Sequence, residues 1–304
     1  MNNQFNKPKG FGEILDQTFR LSKNHFTHFF MILLIIMGPI FLLQAVVDLF
    51  AGASFFRTVG TGTEWYEQIL SRFEEPSADY STGIGTLIGI ISIGLISLIV
   101  YPIADAAILL AIDQIRKQEE YSVGSVLKKA FSRFWPILGS NILYGLIIIG
   151  IVIVPIILVA LVGVFGTAAN PVVGILIAIL LGLGFLVVLV YLLTRWSFYF
   201  ASVVLENNAP GISRSWKLTR NRTWVIVGLY IVFSMITGGI GYAIQLTFGA
   251  ILGNSVVMNI IVNMTTLLTT MIFTVGYAIM FFDLKTRHDA DDLKEMIEEY
   301  NEVK

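Results

Sequence analysis

The sequence has no cysteine in 304 residues, only three histidines, and charged side chains at just 13% of positions. Without cysteine there is no disulfide, no thiolate nucleophile and no cysteine-bound metal, and the redox state of the compartment leaves no trace. The histidines, His25, His28 and His288, form no HExxH, and no GxSxG, Walker loop or dinucleotide fingerprint stands in a suitable context. His25 and His28 are three apart, but no carboxylate or cysteine cluster joins them to complete a metal site. A net charge of −1 lacks the basic excess that a nucleic-acid partner demands. No catalytic residue, cofactor or metal is therefore expected, and the chain is not expected to be an enzyme.

What the chain has in abundance is apolar sequence. Hydrophobic residues fill 56% of positions and the mean hydropathy is +0.78, leaving too few polar side chains to clothe a water-soluble surface. A spanning helix needs about 20 apolar residues to cross roughly 30 Å of hydrocarbon. Six runs qualify, at approximately 27–50, 84–112, 137–166, 172–203, 223–252 and 256–282. The expected fold is all-α: a polytopic membrane protein with six transmembrane helices in one integral membrane domain. The first run is too long for a signal-peptide core and should stay as an anchor.

The basic residues alternate by loop. Lys7, Lys9, Arg20 and Lys23 precede the first span; Arg116, Lys117, Lys128, Lys129 and Arg133 lie between the second and third; Arg214, Lys217, Arg220 and Arg222 lie between the fourth and fifth; Lys285, Arg287, Lys294 and Lys304 follow the sixth. Only Arg57 and Arg72 fall in a loop of the other parity. By the positive-inside rule both termini are cytoplasmic, in a multi-pass protein of the cell membrane.

One unit recurs three times, a basic amphipathic stretch leading into two apolar runs. The copies begin TFRLSKNHFTHFFMILLI at Thr18, AFSRFWPILGSNILYGLI at Ala130 and SWKLTRNRTWVIVGLYIV at Ser215. Phe131 and Trp216 are 85 residues apart, and Tyr191 and Tyr277, in the second helices of their hairpins, are 86 apart. The six helices are thus expected as three pseudo-repeated hairpins, about 10–113, 122–206 and 210–287, each preceded by an interfacial amphipathic helix. The first hairpin carries an extra outer loop, roughly 52–82, in which Trp65, Ile69 and Phe73 suit one face of a short helix on the outer membrane surface or a binding site for an external partner. A cytoplasmic tail, 288–304, places Leu293, Met296, Ile297 and Tyr300 on one stripe of a short helix.

Polar groups inside the hydrocarbon are the candidates for chemistry, because each costs several kcal/mol unless paired or hydrated. Asp105 and Arg195 hold the same repeat position, four residues after Tyr101 and Tyr191, and each lies eleven residues before a cytoplasmic marker, Arg116 or Glu206. On straight helices that places both roughly 16 Å inward. One expectation is an intramembrane ion pair; the alternative is that Arg195 snorkels to the interface while Asp105 lines a hydrated pocket or carries a proton. Asn141, Gln245, Asn259 and Asn263 suit interhelical hydrogen bonds. Pro39, Pro102 and Pro155 fall inside spans and should bend them. The cations Arg20, Lys23, Lys128, Lys129, Arg133, Arg214, Lys217, Arg220 and Arg222 stand where anionic lipid headgroups lie; they either contact those headgroups or simply orient the protein.

The segment VLENNAPGISRSWKLTRNRTW from Val204, with FGEILDQTFRL from Phe11 and FFDLKTR from Phe281, resembles the membrane domain of glycerophosphoryl diester phosphodiesterases over nearly the whole chain. Asn221 stands where that pattern would have glycine, and Lys285 where it would have arginine. The resemblance implies six spans and a membrane location. It does not imply hydrolase activity, because the catalytic barrel that some relatives carry needs over 200 residues and acidic metal ligands. The expected function is a scaffold or accessory module engaging membrane lipids or other membrane proteins, with no nucleic acid. The alternative is a transporter or lipid-translocating protein with a path near Asp105 and Arg195.

Overall fold

The computed structural model describes residues 7–56, 84–253 and 255–302. Among these there are ten helices and no strand: α1 (Phe11–Asn24), α2 (Phe26–Phe50), α3 (Ile84–Lys117), α4 (Val123–Ser132), α5 (Phe134–Ala169), α6 (Pro171–Trp196), α7 (Tyr199–Glu206), α8 (Ile212–Leu218), α9 (Thr223–Leu252) and α10 (Val256–Glu302). Six stretches are long and apolar enough to cross a membrane: Phe26–Phe50, Ile84–Lys117, Phe134–Ala168, Pro171–Glu206, Thr223–Gly249 and Val256–His288. Short helices stand before the first, third and fifth of them. The surface helix expected around Trp65, Ile69 and Phe73 lies outside the described residues, as do Arg57 and Arg72.

Local chemistry explains the helix ends. α1 carries Glu13 in its first turn and Lys23 in its last, both complementary to the helix dipole. At the start of α4, the Ser122 amide donates to the Ser125 hydroxyl oxygen at 3.1 Å and the Ser125 amide to the Ser122 hydroxyl oxygen at 3.2 Å, a reciprocal cap on the first turn. Asn170 caps α6 by accepting from the amides of Val172 and Val173, and Pro171 occupies the first turn, where a missing N–H is harmless. α10 runs unbroken to Glu302, so the tail continues the last span instead of forming a separate helix. Between Phe281 and Glu302 no glycine or proline interrupts it. The stripe of Leu293, Met296, Ile297 and Tyr300 lies outside the described side chains.

The chain divides into two compact units, and α9 and α10 contribute residues to both. The first unit comprises Gly12–Ser132 and Val232–Tyr277. Here α2 packs along α3, and α4 packs on both. Phe29, Ile32, Leu33 and Met37 of α2 are fully buried, as are Ala104, Ala106, Ala107 and Ile108 of α3 and Leu267 and Val275 of α10. The alanines let backbones approach closely, which is how helices gain attraction where lipid is as apolar as leucine. Gly276 receives the Phe233 ring, which is fully buried; a Cβ there would stand 2.5 Å from that ring. The chain after α2 closes the start of α10, since the amides of Val256 and Val257 donate to the carbonyls of Ser54 and Phe55.

The second unit comprises Met1–Phe11, Arg133–Ile231 and Ala278–Lys304. Its α5 and α6 form a tight hairpin. Gly166 and Gly174 touch backbone to backbone there, and a Cβ on Gly174 would overlap the carbonyl carbon of Gly166 and the amide of Thr167. Elsewhere this hairpin presents Ile, Leu and Val side chains outward along its length. Within an apolar 18-residue stretch of each of these two spans only 6% is buried, against 33% in the first span. The core of this unit gathers instead around Phe198, Val204, Leu218, Ile226 and Phe281.

Candidate functional site: a buried arginine where the fourth span breaks

The fourth span is not one straight rod. α6 ends at Trp196 and the chain resumes as α7 at Tyr199, so the 1.5 Å rise that would place Arg195 deep below Glu206 is interrupted. The break is held by hydroxyls. The Thr194 hydroxyl donates to the Val190 carbonyl at 2.7 Å and the Ser197 hydroxyl to the Thr194 carbonyl at 2.9 Å. From α8, the Ser215 hydroxyl donates to the Arg195 carbonyl at 2.8 Å while its oxygen accepts the Phe198 amide at 3.0 Å. Thr219 adds a second donor to the same carbonyl at 3.2 Å. Side chains twenty residues downstream thus satisfy backbone groups that the interrupted helix leaves open.

Arg195 itself is 3% exposed. Its guanidinium lies 4.1 Å from the centre of the Trp216 ring and 5.9 Å from that of Tyr191, and its Nε is buried with no hydrogen-bond partner. Among the described residues no carboxylate forms an ion pair with it. Trp216, on the outer side of this contact, is 38% exposed and is flanked by Trp196, with ring centres 6.0 Å apart. The Arg220 charge also acts on Arg195.

The neighbouring cations are treated differently. Arg214 and Lys285 both pair with Glu206, at 2.9 and 2.8 Å, tying the start of α8 to α10. Arg133 donates to the Val204 carbonyl. Arg287 pairs with Asp283 at 2.9 Å and also donates to the Lys9 carbonyl, while the Lys9 amide donates to Asp283 at 2.6 Å, which ties the N-terminal stretch to α10. Tyr199 donates to Asn141, an interhelical bond of the kind expected for that asparagine.

In the other unit, Asp105 is half-buried and accepts a hydrogen bond from Thr274 at 2.8 Å. Asp105 and Arg195, the two candidates for an intramembrane pair, belong to different units, and each has contacts within its own. Asn259 donates to Asp48 at 2.9 Å, a carboxylate that hydropathy reasoning passed over because it sits in an otherwise unbroken apolar run. Asp113 holds Arg116 and Lys117, one turn away, at 3.0 and 2.6 Å. His25 approaches the Tyr121 hydroxyl at 3.4 Å, and the His28 ring lies 5.5 Å from that tyrosine. Among the described residues no group of three or more His, Cys, Asp or Glu gathers to hold a metal. A cavity of about 410 Å³ opens between α2 and α10, lined by apolar side chains such as Leu34, Phe41 and Met264, with Asn263 as its polar member.

Of the cations expected at the headgroup level, Arg133 and Arg214 are engaged by the protein. Lys23, Lys128, Lys217 and Arg220 are exposed, Lys129 and Arg222 are half-buried, and none of the six has an ion-pair partner among the described residues; Arg20 is exposed on α1.

No curated protein and no solved structure matches the chain. A family model described as a domain of unknown function, DUF7847, matches residues 29–283, from within the first span to within the sixth. The chain therefore belongs to the DUF7847 family.

Proposed function

We propose that this protein is a non-enzymatic scaffold or accessory module of the cell membrane, with both termini in the cytoplasm, that engages lipids and membrane-protein partners. The observation that carries this reading is the state of the cations on its inward-facing elements. Lys23, Lys128, Lys129, Lys217, Arg220 and Arg222 have no ion-pair partner among the described residues, so their charge is available to an anionic surface, at about 1 kcal/mol per cation near the headgroups. The sparsely buried α5–α6 hairpin offers apolar surface for a neighbouring membrane protein. Affinity purification in mild detergent, with copurifying lipids and proteins identified, tests it. Enrichment of anionic lipid or a stoichiometric membrane protein is expected, and recovery of the chain with neither would count against the reading.

The second reading is a transporter or lipid-translocating protein, favoured by one observation: Asp105 places a half-buried carboxylate within a span. The cavity between α2 and α10 is apolar and does not include Asp105. Thiol-reactive labelling of a cysteine at position 105 separates the two readings, since a hydrated path admits a charged reagent there and a packed interior does not.

A further inference from the structure

We propose that Arg195 anchors a phosphate-binding site at the break of the fourth span, taking the headgroup phosphate of an anionic phospholipid or a free phosphate ester. This rests on the reading that the inward-facing cations engage lipid, and goes further by assigning one residue and one chemistry. Arg195 is 3% exposed, yet nothing among the described residues accepts a hydrogen bond from its guanidinium, a group with five donors and no acceptor capacity. The acceptor nearest in sequence, its own carbonyl, already receives the hydroxyls of Ser215 and Thr219. Trp216 supplies a face at 4.1 Å, which stabilises the cation without using any N–H. Neither Arg195 nor Arg220 has an ion-pair partner among the described residues, and a guanidinium fork matches two oxygens of one phosphate. Arg195 lies in the last turn of α6, where the fourth span is interrupted before α7.

The test uses the full chain in nanodiscs of phosphatidylcholine with or without phosphatidylglycerol, counting retained lipid by native mass spectrometry. The wild type is expected to hold one phosphatidylglycerol in preference to phosphatidylcholine. Arg195→Gln should weaken that retention about tenfold, the scale of a lost charge-assisted hydrogen-bond pair. Arg220→Gln should weaken it less, and Ser132→Ala, at an exposed site outside the cation set, should leave this one tightly held lipid in place. If Arg195→Gln is not recovered folded, Arg195→Lys keeps the charge, loses the fork and should bind at an intermediate level. A second arm titrates inorganic phosphate into the phosphatidylcholine discs and follows tryptophan fluorescence. A response there that depends on Arg195, with no phosphatidylglycerol preference, assigns the site to a free phosphate. Arg195 variants that match the wild type in both arms overturn the site. If total phosphatidylglycerol binding then still falls on replacing Lys128 and Lys129, the general lipid reading survives without it.

Discussion

Ser215 and Arg195 are joined by a hydrogen bond from side chain to backbone, 2.8 Å from the Ser215 hydroxyl to the Arg195 carbonyl, across twenty residues of chain. Because Ser215 is fully buried and also accepts the Phe198 amide, one small side chain sustains both sides of the break between α6 and α7.

Replacing Ser215 with alanine should therefore remove one hydrogen bond from the buried Phe198 amide and leave the Arg195 carbonyl served by Thr219 alone. The expected loss is about 1–3 kcal/mol, the scale of two buried hydrogen bonds. A thermal unfolding series in detergent checks it, with Ser132→Ala, at an exposed site, expected to change little.

Gly174 tests the α5–α6 hairpin. A Cβ at this position overlaps backbone, which cannot swing aside as a flexible side chain would, so Gly174→Ala should destabilise by about 1–3 kcal/mol. Gly182 lies in the same helix with nothing within 4 Å of its would-be Cβ, and Gly182→Ala should be neutral or mildly stabilising. Equal melting temperatures for the two variants would contradict the close approach.

His25 introduces a pH dependence. Burial, and then the nearby His28 charge, hold its imidazole below the ordinary value of 6.5. The folded state thus favours the neutral ring, so stability is complete above pH 6.5 and is lost as the pH falls through that value toward the lower folded one. The melting temperature should decline as the pH falls below 6.5, and His25→Phe should flatten that part of the profile.

The absence of native cysteine makes topology directly measurable, because each introduced thiol reports alone. A cysteine replacing Lys128 should react only after the membrane is permeabilised, and one replacing Phe56, which is exposed beyond α2, should react in intact cells. The opposite pattern would reverse the assigned orientation.

The spans were legible because hydropathy accumulates over windows of twenty residues and needs no partner to be read. The start of α6 is set locally too, since the Asn170 cap and the fixed φ of Pro171 act within three residues. The break in the fourth span was not legible. The segment Thr194–Arg195–Trp196–Ser197–Phe198 has neither glycine nor proline, and what stabilises its interruption is a pair of hydroxyls on a different helix. The Glu206 cluster was hidden likewise, because Arg214 is eight residues away and Lys285 is seventy-nine, and nothing in their spacing announces that they converge on one carboxylate.

Composition and the alternation of cationic loops thus establish the medium and the number of crossings, both of which depend on sums over many residues in one solvent. Which cation goes unmatched depends on something else. Arg195 stands out along the chain as a cation inside a span, but the sequence does not show whether a partner meets it; folding supplies Arg133, Arg214, Lys285 and Arg287 each with a carbonyl or carboxylate and leaves Arg195 against an aromatic face. Electrostatic pairing acts over a few ångströms in space, so it becomes visible only once distant segments have been brought together.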